Sequence, residues 1–194
     1  MAYKQHFVEW FSGKQLPSYW TTGIVVGSPT FAMSDSVDGG FQISCPNSAN
    51  GLGYIHFNNK RHYSATDSTS ISVFKGSKTS ANSNFQTGIN STSGNGNASL
   101  SGYHTSYSTT YFVLITGDGS ISSTNTDVTA DTSFHVHKIV NGSANIKLYL
   151  DGVLKVTKTT NRPTGSQQPY AEAQAWGTTG AVNLNMIYLE AYNT

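Results

Sequence analysis

The chain has 194 residues, of which 37% are hydrophobic, 12% aromatic and only 11% charged, and its formal net charge at pH 7 is +1. Soluble domains carry roughly 25% charged residues, and helical bundles depend on Ala, Glu, Lys and Leu, so this composition excludes helical bundles and coiled coils. The small net charge argues against a nucleic-acid partner, and the absence of an apolar run of about 18 residues argues against a membrane-spanning helix.

Alternating apolar and polar residues, separated by turn-forming clusters, recur along the chain and predict short β-strands. The predicted strands are His6–Phe11, Ile24–Val26, Thr30–Met33, Gly40–Cys45, Gly53–Phe57, Ser70–Phe74, Tyr111–Thr116, Phe134–Val140, Ile146–Leu150, Val153–Thr159, Tyr170–Trp176 and Val182–Tyr192. About a dozen strands without a fixed repeat predict one domain over residues 1–194, built as an antiparallel β-sandwich or jelly roll.

The stretch from about residue 78 to 101 is dominated by Ser, Asn, Thr and Gly. This composition predicts a long exposed loop instead of a core strand. Loops of this length often carry function, although a merely solvated loop has the same composition.

Two turn signals divide the C-terminal third into three antiparallel strands. Asp151-Gly152 supplies the two left-handed residues that a type I′ hairpin turn requires, and Asn141-Gly142 predicts a second turn of the same chemistry.

The single cysteine, Cys45, excludes an internal disulfide, and its place in an alternating strand predicts a buried apolar residue instead of a nucleophile.

The first residues contain no apolar segment of the kind found in secretory signals. We therefore expect the chain to be made in the cytosol. A surface rich in Ser, Thr, Asn and Tyr is also typical of virion and extracellular proteins, which gives the hypothesis of a virion component.

Both ends and the C-terminal third resemble the concanavalin A-like lectin/glucanase superfamily, including its laminin-G-like modules. The resemblance rests on the aromatic-His strand Phe134–Val140, on the hairpin sequence Leu148-Tyr149-Leu150-Asp151-Gly152-Val153, and on segments at 7–11 and 182–192 that are similar to the opening and closing strands of such modules. It implies a β-sandwich in which those two strands are neighbours. It does not by itself imply a function, since the superfamily contains lectins, glycosidases, lyases and structural modules.

Glucanases of this superfamily carry a Glu-x-Asp-x-Glu strand, which the present chain lacks because none of its three glutamates has an acidic residue two or four positions away. One strand is nevertheless compatible with a saccharide-binding site. Glu172, Gln174 and Trp176 alternate with alanines and therefore share a face, where an aromatic ring beside a carboxylate and an amide could bind a sugar. The alternative is that Trp176 packs in the core.

A polysaccharide lyase would need a base and a charge-neutralising group. The compact group of His56, Arg61, His62 and Tyr63 is the candidate centre, although a strand-turn-strand would explain it without chemistry. Tyr103 and Tyr107 could stack on a sugar or form a protein interface if exposed, and would be core residues if buried.

For metals, the loop containing Asn125, Asp127 and Asp131 is rich in oxygen ligands and gives the hypothesis of a Ca²⁺ site. His135 and His137 point the same way from one strand, but a zinc or nickel site would need a third ligand that the sequence does not name. Such a pair more often lines a solvated strand face.

The sequence therefore favours a non-catalytic module that binds carbohydrate or serves as a virion fibre or decoration protein. Its expected partners are a glycan or sister subunits of a homo-oligomer, without nucleic acid or membrane. The alternative is a carbohydrate-active enzyme of the same fold, either a glycoside hydrolase or a polysaccharide lyase. A viral coat protein of the jelly-roll kind shares the composition.

Overall fold

The computed structural model describes residues 5–33, 40–46, 51–58, 62–77, 82–91, 96–176 and 180–194, and these residues form β-strands, turns and loops. The strands are β1 (His6–Trp10), β2 (Thr21–Val26), β3 (Thr30–Met33), β4 (Phe41–Cys45), β5 (Gly51–His56), β6 (Ser68–Gly76), β7 (Ser83–Asn90), β8 (Ala98–His104), β9 (Tyr111–Gly117), β10 (Ile121–Thr129), β11 (His135–Asn141), β12 (Ile146–Leu150), β13 (Val153–Lys158), β14 (Gln168–Ala175) and β15 (Val182–Asn193). Within the described ranges there is no helix with the length and hydrophobicity needed to cross a membrane.

The strands form two antiparallel sheets that pack face to face. Sheet A has eight strands in the order β13-β12-β11-β6-β15-β4-β3, with β1 also paired to β15. Sheet B has seven strands in the order β10-β9-β8-β7-β14-β5-β2. Phe74 and Leu184 of sheet A share one core cluster with Phe85 and Ala173 of sheet B. The predicted all-β antiparallel sandwich is confirmed.

The first and last strands lie side by side, as the resemblance implied. His6 is opposite Tyr192, and Trp10 is opposite Tyr188. β15 pairs with β4 and β6 as well, so this twelve-residue strand joins three others in the middle of sheet A.

The β12–β13 hairpin forms as predicted. Asp151 and Gly152 are the two left-handed residues of the turn, with φ angles of 49° and 82°. The turn predicted at Asn141-Gly142 is wrong. Asn141 stays in β11 opposite Ile146, because its buried side chain is held by Ser99 and Ser68, and the turn is instead a longer loop closed by Gly142 N donating to Asn145 O at 2.8 Å.

The predicted loop at 78–101 is also wrong, since this stretch contains all of β7 and the start of β8. Every residue of β7 is buried, and β7 lies between β8 and β14 near the middle of sheet B. Phe85 and Ile89 point into the interior, while Asn84 and Gln86 point away from sheet A. Polar side chains are accommodated here because they hydrogen-bond to neighbouring strands.

Cys45 is fully buried, as predicted for a small apolar residue. Its Sγ donates to the backbone oxygen of Ala173 at 2.9 Å. Burial raises the pKa of this thiol to about 11, so it remains protonated at neutral pH.

Candidate functional site

The predicted face of β14 exists and lies on the side of sheet B that points away from sheet A, which we call the outer face of sheet B. Ala171, Ala173 and Ala175 pack in the core, and Glu172 and Gln174 point the opposite way. The register aligns Glu172 with Gln86 of β7 on one side and with Tyr54 of β5 on the other.

Glu172 is the centre of a buried hydrogen-bond network. Gln86 Nε2 and Asn84 Nδ2 both donate to its Oε1, the second at 3.3 Å, and the Tyr170 hydroxyl donates to its Oε2 at 2.5 Å. Asn84 Nδ2 also donates to Gln174 Oε1 at 3.1 Å. The network fixes the carboxyl group in one position and links it to the part of the face that solvent reaches.

Burial raises the pKa of Glu172 above its ordinary value, although the hydrogen bonds from Tyr170, Gln86 and Asn84 act in the opposite direction. The side chain is 2% exposed. A carboxyl group in such a setting takes up a proton more readily than an exposed one.

Aromatic rings lie on both sides of this polar centre. Tyr54 is stacked on Tyr170 with ring centroids 5.7 Å apart, and on His56 with centroids 5.5 Å apart. The Tyr54 ring rests on the backbone of Gly23, where an added Cβ would lie only 2.2 Å from the ring. Tyr54 is half-buried and presents part of this ring to solvent.

A second aromatic group follows Gln174 along the chain. The His104 ring lies 5.4 Å from Trp176 and 4.5 Å from Tyr107. Burial lowers the pKa of His104 to about 4, so this imidazole is neutral at physiological pH. Trp176 and Tyr107 are half-buried, so the alternative in which Trp176 belongs to the core is wrong.

The outer face is apolar on the side of β8 and β9. Leu100, Val113, Ile115 and Tyr170 form a small cluster with Ala98, separate from the main core. Tyr54 and Tyr107 pack against this cluster. The face therefore has a buried floor, and its solvent-reachable rim is provided by half-buried residues: Leu52, Tyr54, Tyr107, Gln174 and Trp176.

A pair of catalytic carboxyl groups is absent from the strands of sheet B. These seven strands contain two acidic residues, Glu172 on β14 and Asp127 on β10. The two strands are four positions apart in the sheet, or about 19 Å at a spacing of about 4.8 Å. Glycosidases place their two carboxyl groups about 5–9.5 Å apart.

The predicted lyase cluster does not come together among the residues that the structure describes. His56 lies on the outer face of sheet B, where burial lowers its pKa. Tyr63 is buried with Ile89 in a separate apolar cluster, and its burial raises its pKa to about 12. His62 is exposed, and Arg61 lies outside the described residues.

Of the two tyrosines left open by the sequence, Tyr103 is a core residue. It is fully buried beside Phe85, so it is not available to a sugar. Tyr107 is on the rim described above.

The proposed Ca²⁺ ligands are engaged separately. Asp127 forms an ion pair with Lys155 at 3.0 Å, and Asp131 accepts from Ser133 N at 2.7 Å. Asn125 is an exposed residue of β10. Among the described residues, no group of three or more His, Cys, Asp or Glu side chains is arranged to hold a metal ion. The Ca²⁺ site remains a prediction.

The two histidines of β11 have different environments. His135 Nδ1 lies 2.7 Å from Asp151 Oδ2, and its Nε2 lies 3.0 Å from Asp131 Oδ1. Burial disfavours its protonation, but these carboxylates outweigh that effect and raise its pKa. His137 is buried, with Nδ1 2.8 Å from Ser101 Oγ, and does not line a solvated face.

Comparison with solved structures identifies the fold. A β-1,3-1,4-glucanase (lichenase) derived from a mouse hindgut metagenome matches with a TM-score of 0.70 at 11% identity, over 97% of this chain and 98% of that chain. The carbohydrate recognition domain of Emp47p matches with a TM-score of 0.58 at 12% identity, over 97% of this chain and 94% of that chain. The chain has the concanavalin A-like lectin/glucanase fold.

Members of this fold differ in what they do. An alginate lyase of polysaccharide lyase family 7 also matches, with a TM-score of 0.61 at 14% identity, over 84% of this chain and 82% of that chain. No protein-family model and no curated protein sequence matches the chain. Because identities of 11–14% establish the fold alone, function has to be argued from the site.

The sequence did not identify most members of this site. The polar composition around Asn84 and Gln86 predicts a loop, and no motif in the sequence distinguishes Tyr54, Tyr170 or His104. The alternation of Asn84 and Gln86 with Phe85 and Thr87 was the one available signal for β7.

Proposed function

We propose that this chain binds a neutral saccharide at the outer face of sheet B, without catalysis. The observation that carries the proposal is the fixed carboxyl group of Glu172, held by Tyr170, Gln86 and Asn84. It lies between the half-buried ring of Tyr54, opposite it on β5, and that of Trp176, directly after β14.

The rim supplies the contacts that a pyranose ring needs. Tyr54 and Trp176 offer aromatic faces on which the C–H face of a sugar can pack. Gln174, which accepts from Asn84, offers an amide for sugar hydroxyl groups. The similar fold of the Emp47p carbohydrate recognition domain supports carbohydrate as the ligand class.

The charges of sheet B favour a neutral ligand. Its seven strands contain no Lys or Arg, so uronate polymers would find no compensating cation on these strands. For the same reason the lyase alternative is not favoured, and the single carboxyl group at the centre of the face disfavours a glycosidase.

A place in a virion is a further proposal. It is supported by the low charge content of 11% and by the Ser-, Thr- and Asn-rich sequence. It does not depend on the saccharide site.

The first test is binding to a panel of soluble polysaccharides that contains neutral β-glucans and the uronate polymer alginate, measured by affinity electrophoresis and calorimetry. We expect binding to at least one neutral polymer and none to alginate. Trp176→Ala should weaken that binding about tenfold, the equivalent of about 1.4 kcal/mol, because one stacking ring is lost.

Trp10→Ala is the matched control, because Trp10 is an exposed tryptophan on sheet A, away from this face. It should leave saccharide affinity unchanged. Equal losses in the two variants would contradict the assignment to sheet B. Release of reducing ends from a glucan that disappears in Glu172→Gln would establish the enzyme alternative instead.

A further inference from the structure

The face of sheet A that points away from the core presents a broad apolar and aromatic surface. The register places Trp10, Tyr188, Val73 and Val136 in one row across β1, β15, β6 and β11. Trp10 is 65% exposed, and its ring lies 4.5 Å from that of Tyr188. Val8 and Val136 are also exposed. Contiguous apolar surface of this kind marks an interaction site.

The next row of the same face carries opposite charges on either side of an apolar centre. Glu190 of β15 is opposite Ile71 of β6, and its carboxylate lies 2.7 Å from His6 Nε2 and accepts a hydrogen bond from the Tyr188 hydroxyl at 2.7 Å. Ile71 is opposite Lys138 of β11. Glu190 and Lys138 are thus two strand spacings apart, about 10 Å. This distance is beyond that of an ion pair within one chain.

A two-fold axis along β6 makes this surface complementary to itself. Rotation about such an axis exchanges the β15 side of one copy with the β11 side of the other, so Glu190 of each copy faces Lys138 of the second copy. Ile71 and Val73 lie on the axis and meet their own equivalents, and Tyr188 meets Val136 of the second copy. The twist of packed sheets inclines the strands by about 30° but keeps these central rows together.

Other arrangements of the same face are unfavourable. A two-fold axis across the strands, through the Glu190 row, would bring Glu190 against Glu190 and Lys138 against Lys138. Like charges in contact are destabilising. The charge pattern therefore selects one orientation, as expected of an isologous interface.

We propose that the outer face of sheet A is the interface of a homodimer whose two-fold axis runs along β6. The partner on this face is a second copy of the chain, because in each row the apolar residues of one copy face apolar residues of the other and the opposite charges face each other. The saccharide face of sheet B lies on the opposite side of each sandwich and stays accessible in this dimer.

The test uses charge reversal at the two predicted contacts, with mass measured by light scattering and sedimentation over a concentration series. The full chain should show twice the 20.8 kDa of one copy. Lys138→Glu and Glu190→Lys should each raise the dimer dissociation constant at least about tenfold, because each places like charges at both contacts.

Mixing the two single variants is the decisive step. In a mixed dimer both contacts are again between opposite charges, so a heterodimer should form from two variants that are monomeric alone. Asp118→Lys, a charge reversal at an exposed residue in the turn between β9 and β10 of sheet B, lies away from this face and controls for a general effect of charge. It should leave the dimer intact.

A monomeric wild-type chain at all concentrations would overturn the proposal, as would failure of the mixed variants to associate. A chain that stays monomeric but binds a saccharide or another protein through Trp10 would assign this face to that ligand instead. Circular dichroism of each variant checks that it is folded, and saccharide binding through sheet B provides an independent measure that a dimer defect should not change.

Discussion

At the scale of single residues, His137 is an ionisable group enclosed by the core. Its ring lies 4.3 Å from that of Phe74 and 5.0 Å from that of Phe112, and it is 1% exposed. Burial, with a smaller contribution from the nearby His135, lowers its pKa from 6.5 to about 3. The folded protein therefore keeps this imidazole neutral over a pH range in which the unfolded chain protonates it.

The folded protein should therefore lose stability as the pH falls, because proton binding then favours the unfolded chain. As pH falls from 6.5 towards 3, the unfolded chain binds a proton that the folded chain does not, so stability decreases by about 1.4 kcal/mol per pH unit. His137→Phe should cost about 1 kcal/mol at pH 7.5, because Ser101 loses its hydrogen-bond partner. On going to pH 4.5 the variant should gain about 3 kcal/mol relative to wild type, because it has no imidazole for the unfolded chain to protonate. Urea unfolding of both proteins at the two pH values measures this. A difference in stability that is the same at both would contradict it.

At the scale of elements, the two hairpins of sheet A give a direct comparison. Gly152 has a φ of 82° with open space around its Cβ position, so only backbone strain opposes a side chain there. Gly152→Ala should lower the free energy of unfolding by about 1–2 kcal/mol. Gly142→Ala, in the other turn, should cost less, because no left-handed φ is required there and the added Cβ would be close only to the backbone oxygen of Asn145, at 3.2 Å. Chemical denaturation of both variants tests this, and equal costs would be inconsistent with it.

The elements also show how far the sequence could predict this molecule. The strands with alternating apolar residues, such as Ile146–Leu150, were predicted with their observed bounds, since the pattern reports burial on one face. The sequence does not reveal β7, because both of its faces are covered and polar residues such as Asn84 donate hydrogen bonds across strands that the sequence does not show to be neighbours. β10, with only Thr126 fully buried near its middle, offered no apolar alternation.

The candidate site was predicted in part for the same reason. The shared face of Glu172, Gln174 and Trp176 follows from spacing along one strand. The partners Gln86 and Tyr54 come from strands 86 and 118 residues before Glu172, and only the pairing of β14 with β7 and β5 brings them together.

At the scale of the whole molecule, Cys45 reports on global stability. It lies on β4, paired with β15, and its thiol is fully buried. Because the pKa of the thiol is about 11, a native molecule at pH 8 offers neither an exposed nor an ionised sulfur. Reaction with a thiol reagent should therefore follow unfolding, with a rate that increases with urea in parallel with the loss of β-structure. Rapid labelling without denaturant would show that β4 opens locally.

The position of β15 has a consequence for how this protein is made. Its twelve residues are the last strand in the sequence, yet they pair with β1, β4 and β6. Sheet A cannot close until these residues leave the ribosome, so the edges of its earlier strands stay open during synthesis. Folding dominated by such distant contacts is slow, and the nascent chain passes through a period in which chaperones would have to shield those edges from association.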